Sequence, residues 1–169
     1  MAGKSFLIAA FLLAGCGNAE PPKPRPALEL TGRVVDKADL LDPATEAMLT
    51  ARLAKLERET GAQMVIATTP SLESKSIADY SIALANAWGI GSRERNDGLL
   101  LLVAPNERQV RIEVGKGLEK VMTDETAYTI IWQKMVPLFR QNKPQTAILS
   151  GAGAMLNVMA DHNGVRKAA

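Results

Sequence analysis

One stretch, Asn96 to Asp124, constrains the fold more than any other. It reads NDGLLLLVAPNERQVRIEVGKGLEKVMTD. Leu99 to Ala104 is an unbroken apolar run, short for a helix and suited to a strand buried on both faces. Pro105-Asn106-Glu107-Arg108 supplies a turn: Pro stops the ladder and the polar side chains solvate the tip. Gln109 to Val114 then alternates, with Val110, Ile112 and Val114 on one face and Gln109, Arg111 and Glu113 on the other. Two strands joined so closely make an antiparallel hairpin. Its open end brings the residue entering the first strand beside those leaving the second. Asp97 is therefore expected near Gly115-Lys116-Gly117-Leu118-Glu119. Thr123 has the chemistry of an N-cap, which places Asp124 in the first turn of the next helix. Asp97, Glu119 and Asp124 are expected to gather at one sheet edge, joined by glycines.

The flanking segments alternate strand and helix. Val34-Val35 suits a short strand and leads into a carboxylate-rich loop, Asp36 to Leu41. Asp42-Pro43 starts a helix, in which Leu49, Leu53 and Leu56 recur at helical spacing with Met48 alongside, and Gly61 stops it. Gln63 to Thr68 is a second buried strand. Ser76 with Asp79 opens a helix whose stripe is Ile77, Tyr80, Leu84 and Trp88. After the hairpin, Ala127, Ile131 and Met135 form an inward face until Pro137, which should end or kink the helix near Val136. Pro144 begins a last helix, where Gly151 and Gly153 suggest close packing. The expected fold is α/β: a mixed central sheet containing one hairpin, with helices on both faces. The crossover through the Ser76 helix should make the Gln63 and Leu99 strands parallel and right-handed.

The N-terminus reads as a targeting segment. Lys4 precedes an apolar run, Phe6 to Leu13, too short to span a membrane and suited to a signal-peptide core. Leu13-Ala14-Gly15-Cys16 resembles a bacterial lipobox. Residues 1–15 are thus expected to be a lipoprotein signal peptide and Cys16 the acylated first residue of the mature chain, held on a membrane by its acyl chains. Cys16 is the sole cysteine, so no intrachain disulfide can form. By resemblance to Gram-negative lipoproteins, Gly17 after the cysteine implies outer-membrane sorting in such an organism, facing the periplasm. Residues 16–27, rich in proline, read as an extended tether. The folded domain is expected over 28–162, with a flexible tail over 163–169.

Several chemistries are disfavoured. A formal net charge of +2 over 169 residues, with no basic and aromatic patch, argues against nucleic acid. Gly89-x-Gly91 and Gly115-x-Gly117 lack the third glycine of a dinucleotide fingerprint. There is no Gly-x-Ser-x-Gly elbow, and His162, the one histidine, lies near the tail. Too few histidines and thiolates are present for zinc. No catalytic residue is identified. Carboxylates and backbone carbonyls suit a hard cation, Ca2+ or Mg2+. The candidate ligands are Asp97, Glu119 and Asp124, with Asp36 and Asp39 joining if the first loop folds to that edge. Gly98, Gly115 and Gly117 would let backbone carbonyls approach.

These residues also carry a resemblance. Asp36-x-Ala-x-Leu-Leu41, Trp88-Gly-Ile-Gly91, the Asn96-Asp-Gly turn into an apolar strand, Arg111-Ile-Glu-x-Gly-x-Gly-Leu-Glu119 followed by Asp124, and Pro137-x-Phe-Arg140 together resemble the TPM domain. The resemblance spans about Gly32 to Ala160. Lys116 departs from the family pattern, which usually has an aromatic residue there, and Asn142-Lys143-Pro144 replaces a Gly-Asp turn. The resemblance implies a three-layer αβα, Rossmann-like sandwich in a bacterial envelope or thylakoid lumen. It also implies divalent-metal binding, notably calcium, in some members. Acid phosphatase activity belongs to some members and accessory roles toward membrane proteins to others. Two functions follow as expectations. One is a lipid-anchored, metal-binding accessory module that contacts envelope proteins; the other is a metal-dependent phosphomonoesterase.

Overall fold

The computed structural model describes residues 28–168, with side chains through His162. The expected signal peptide, Cys16 and the tether lie outside the described residues. Among the described residues one sheet forms, in the order β1 (Val34–Asp36), β2 (Gln63–Thr68), β3 (Gly98–Ala104), β4 (Gln109–Val114). β1, β2 and β3 run parallel, and β4 returns antiparallel to β3. The helices are α1 (Pro43–Thr60), α2 (Ile77–Trp88), α3 (Asp124–Thr129), α4 (Val136–Arg140) and α5 (Pro144–Ala168). The fold is α/β with helices on both faces of a mixed sheet, as expected.

Strand alternation decides which side chain meets which layer. Met64, Ile66, Leu99, Leu101, Val103 and Ile112 face α1 and α5, against Leu49, Leu53, Ile148 and Met155. Val65, Ala67, Leu100 and Leu102 face the other way, against Tyr80 and Leu84 of α2 and against Leu28. All of β3 is buried, which is why its sequence has no polar alternation. Met48, expected beside the α1 stripe, is instead 40% exposed.

α1 and α2 thus cover opposite faces, while the chain steps from β1 to β2 to β3 in one direction across the sheet. Two parallel crossovers in the same direction with helices on opposite faces must have opposite hands. The right-handed rule therefore holds for one of them only. Apolar patterning tells a helix that it must be covered by the sheet, and carries nothing about which face it takes.

Caps close the elements where the sequence places them. Asp42 accepts from the Thr45 N–H at 2.7 Å, Gly61 ends α1 in the left-handed region, and Ser76 accepts from the Asp79 N–H at 3.0 Å. Pro137 does not stop its helix. The chain widens into a π-helical turn, Ile130–Met135, and resumes as α4 with Pro137 in its first turn. The Val136 N–H donates to the Ile131 carbonyl, so the wider turn absorbs the mismatch that a proline introduces. Gly151 packs against the Met135 side chain, but Gly153 faces open space. α5 continues to Ala168, so the stretch expected as a tail has helical backbone.

Leu101→Ala, at a fully buried position, should cost about 3 kcal/mol in urea denaturation. Met48→Ala should stay within about 0.5 kcal/mol. Equal losses at the two positions would contradict this account of the core.

Candidate functional site

The hairpin closes as the sequence predicts, with Leu99 opposite Val114 and Ala104 opposite Gln109. At its open end the Gly115 N–H donates to the Gly98 carbonyl at 2.8 Å, and the Gly117 N–H donates to the Asn96 carbonyl at 2.9 Å. A Cβ on Gly115 would strike the Asn96 carbonyl, and one on Gly117 the Arg95 carbonyl. The glycines are thus needed for one backbone to lie on another. Gly98 does the same against the Ile90 carbonyl, which Gly91 makes possible with a φ of +86°.

Asp97 is 6% exposed at this junction. Its Oδ1 accepts from the Ser92 N–H at 2.8 Å and from the Ser92 hydroxyl at 3.0 Å. Its Oδ2 accepts from Arg95 Nε at 2.6 Å, and Arg95 reaches on to the Gly61 carbonyl at 3.2 Å. Burial pushes the Asp97 carboxyl up; the Ser92 N–H, the Arg95 guanidinium and the Ser92 hydroxyl together outweigh it, leaving the group below its ordinary value. The carboxylate is a clasp on the loop from Ser92 to Asp97.

Two grooves flank the Gly115–Glu119 loop. One, of about 280 Å³, lies between α2 and β4 and is lined by Ile82, Asn86, Glu113, Lys116 and Glu119 among others. The second, of about 380 Å³, is lined by Thr60, Arg95, Asp97, Gly117, Met159 and His162 among others. Glu119 and Asp97 therefore line different grooves. Asp124 lies in the first turn of α3, capped by Thr123, and lines neither. Proximity of backbones at the hairpin end did bring Asp97 to the Gly115–Leu118 loop, but not into one groove with Glu119.

Asp36 and Asp39 stand at the other end of the sheet. Asp36 closes β1 opposite Thr68, the last residue of β2, whereas Asp97 precedes Gly98, which lies opposite Gln63 at the start of β2. The length of β2, six residues, separates the two ends by about 17 Å. A chain that leaves one parallel strand at its carboxyl end enters the next at the far end, so the first loop cannot join Asp97. Asp36 accepts from the Leu41 N–H at 2.8 Å and from the Thr68 hydroxyl, which in turn accepts from the Ala38 N–H at 2.9 Å. It organises its own loop, leaving Asp39 exposed with a φ of +53°.

Among the described residues no three His, Cys, Asp or Glu side chains converge as a metal would require. Asp97, with both oxygens engaged, does not fit a shared cation with Glu119 and Asp124 as the loop stands. Two groups escaped the sequence reading. His162, noted in the sequence only as lying near the tail, lines the second groove one helical turn beyond Met159. Ser81, fully buried on α2, donates to Glu113 at 2.9 Å and accepts from Arg111 Nε at 3.0 Å. A serine next to Tyr80 on the apolar stripe was the available signal.

The sequence matches the family model described as the TPM domain over residues 34–158. The chain belongs to the TPM domain family. No curated protein matches it. Among solved structures, the N-terminal domain of a P. gingivalis protein is 31% identical with a TM-score of 0.74, over 79% of this chain and 85% of that one. The N-terminal domain of the cg2496 protein of Corynebacterium glutamicum has 15% identity and a TM-score of 0.59, over 88% and 86%. The BA42 protein of Bizionia argentinensis has 16% identity and a TM-score of 0.62, over 73% and 83%. The last two likenesses show the TPM fold alone.

The lowered Asp97 value fixes a sign. The native state holds its proton less tightly than the unfolded chain, so the clasp stabilises fully above about pH 4 and is lost as pH falls through the lowered value. Asp97→Asn should cost about 2 kcal/mol at pH 7 in urea denaturation. The gap from wild type should shrink as pH falls below the ordinary carboxylate value, about pH 4. A gap that widens in acid would contradict the assignment.

Proposed function

We propose that this TPM domain is a membrane-tethered envelope module that binds protein partners and does not itself catalyse a reaction. The observation that carries this reading is the state of Asp97. A catalytic carboxylate needs a free lone pair and a pKa poised for transfer. Asp97 instead gives both oxygens to Ser92 and Arg95 and is held ionised. The groove between α2 and β4 mixes apolar Ile82, Ala85, Ile90 and Val114 with polar Asn86, Asn96, Glu113 and Lys116. Such a lining suits a protein segment better than one small substrate.

The tether belongs to the same reading. Acylated Cys16 and the proline-rich residues 16–27 would hold the domain a short distance from a periplasm-facing membrane surface. Among the described residues no helix is long and apolar enough to cross a membrane. Calcium or magnesium at Asp97, Glu119 and Asp124 would require the Arg95 clasp to open first, so metal binding is not part of the proposal.

The competing function is a metal-dependent phosphomonoesterase, and one preparation separates the two. The full chain in detergent is given a generic phosphomonoester with and without Ca2+ or Mg2+. No turnover and no metal-dependent rise in melting temperature are expected. Metal-dependent turnover abolished by Glu119→Ala with Asp124→Ala would overturn the binding-module reading. In cell fractions, Cys16→Ser should move the protein out of the membrane pellet; unchanged partitioning would contradict the tether.

A further inference from the structure

The two edges of the sheet are not alike. β1 is three residues long, and Arg33 beside it is tied to Glu57. Short, charged edges resist pairing. β4 is six residues long and, among the described residues, has a neighbour on one side only. The Gln63 N–H donates to the Asp97 carbonyl and the Thr69 N–H to the Val103 carbonyl, so odd-numbered residues of β3 face β2. The Gly115 N–H donates to the Gly98 carbonyl, so Gln109, Arg111, Glu113 and Gly115 face β3. Val110, Ile112 and Val114 therefore turn their N–H and C=O groups outward. Among the described residues no hydrogen bond reaches those outward groups.

We infer that β4 pairs with β4 of a second copy of this chain, antiparallel, with Ile112 opposite Ile112 across a two-fold axis. This names one partner for the module proposed above and is tested independently of it. The charge pattern selects the register. An outward group must meet an outward group, so only shifts of two residues along the partner are allowed. With Ile112 on the axis, Val110 lies opposite Val114, and Arg111 lies opposite Glu113 twice over. Those charged residues occupy the wide pairs, where opposite side chains approach most closely. Moving the axis to Arg111 sets guanidinium against guanidinium; moving it to Glu113 sets carboxylate against carboxylate. The two neighbouring registers are thus repelled and the central one is attracted.

The side chains are already poised for this. Arg111 uses Nε for Glu113 at 2.7 Å and for Ser81 at 3.0 Å. Among the described residues its two terminal nitrogens donate to no partner. Arg111 and Glu113 retain 36% and 20% side-chain exposure, enough to be reached from the free edge and enough shelter for a strong pair. Ile82, 44% exposed on α2, lines the groove with Glu113 and Val114 and gives the same flank an apolar patch. Anchoring both copies to one surface would raise their effective concentration.

Sedimentation equilibrium of the full chain in detergent reads the state. Wild type should show twice the chain mass. Arg111→Glu and Glu113→Arg, each alone, should weaken dimerisation by about tenfold or more. Mixed in equal amounts, those two variants should recover the dimer, because one then carries two acids and the other two guanidiniums across the axis. An intrachain role for the pair cannot produce that recovery. Val110→Pro removes one outward donor at an edge position that tolerates proline; it should give monomer with an unchanged circular dichroism spectrum. It keeps the anchor, so shared micelles cannot account for the loss. A monomeric wild type, a dimer indifferent to Val110→Pro, or no recovery in the mixture would overturn the inference.

Discussion

The structure depends on the pairing of β3 with β4 in a single register. β3 is buried on both faces, so it commits the chain to a layer on each side. β4 fixes the register, because a one-residue slip would drive Arg111 and Glu113 into the layer beneath α5 and expose Ile112. The open end then follows without further choice. Gly98 and Gly115 lie opposite each other, Gly117 falls on Asn96, and the loop carrying Asp97 is pressed against the start of β3.

That closeness explains why the edge is built as it is. Backbone against backbone leaves no room for Cβ atoms, hence the glycines. A buried carboxylate at the same place needs partners, and it takes them from its own loop, through Ser92 and Arg95. The acid that looked most like a ligand is the one holding the scaffold together. Of the other acids, Glu119 lines the groove between α2 and β4, and Asp124 sits in the first turn of α3.

Much of this fold was legible in the residues. The uniform apolar run of β3, the alternation of β4, Asp42 and Ser76 as caps and Gly61 as a stop all report local physics, and each lies where that physics puts it. What was not legible depends on direction in space. The side of the sheet taken by α1 or α2 is set by packing of the whole, so the opposite hands of the two crossovers left no local trace. The polarity of parallel strands puts Asp36 and Asp97 at opposite ends, a consequence available only after strand order is known. A hairpin brings backbones together, but rotamers and hydrogen-bond partners decide where carboxylates point. That is why Asp97 met Gly117 without meeting Glu119. The Pro137 helix shows the same limit: proline's missing donor was readable, and its absorption by a π turn was not.

Amide hydrogen exchange at Gly115 and Gly117 tests the central claim most directly. Both N–H groups are bonded across the open end of the hairpin, to Gly98 and Asn96. They should exchange as slowly as the amides of β3, at rates set by global unfolding. Exchange as fast as at the exposed loop residue Ser74 would mean that the hairpin end stands open. The closed, Asp97-clasped scaffold described above would then be wrong.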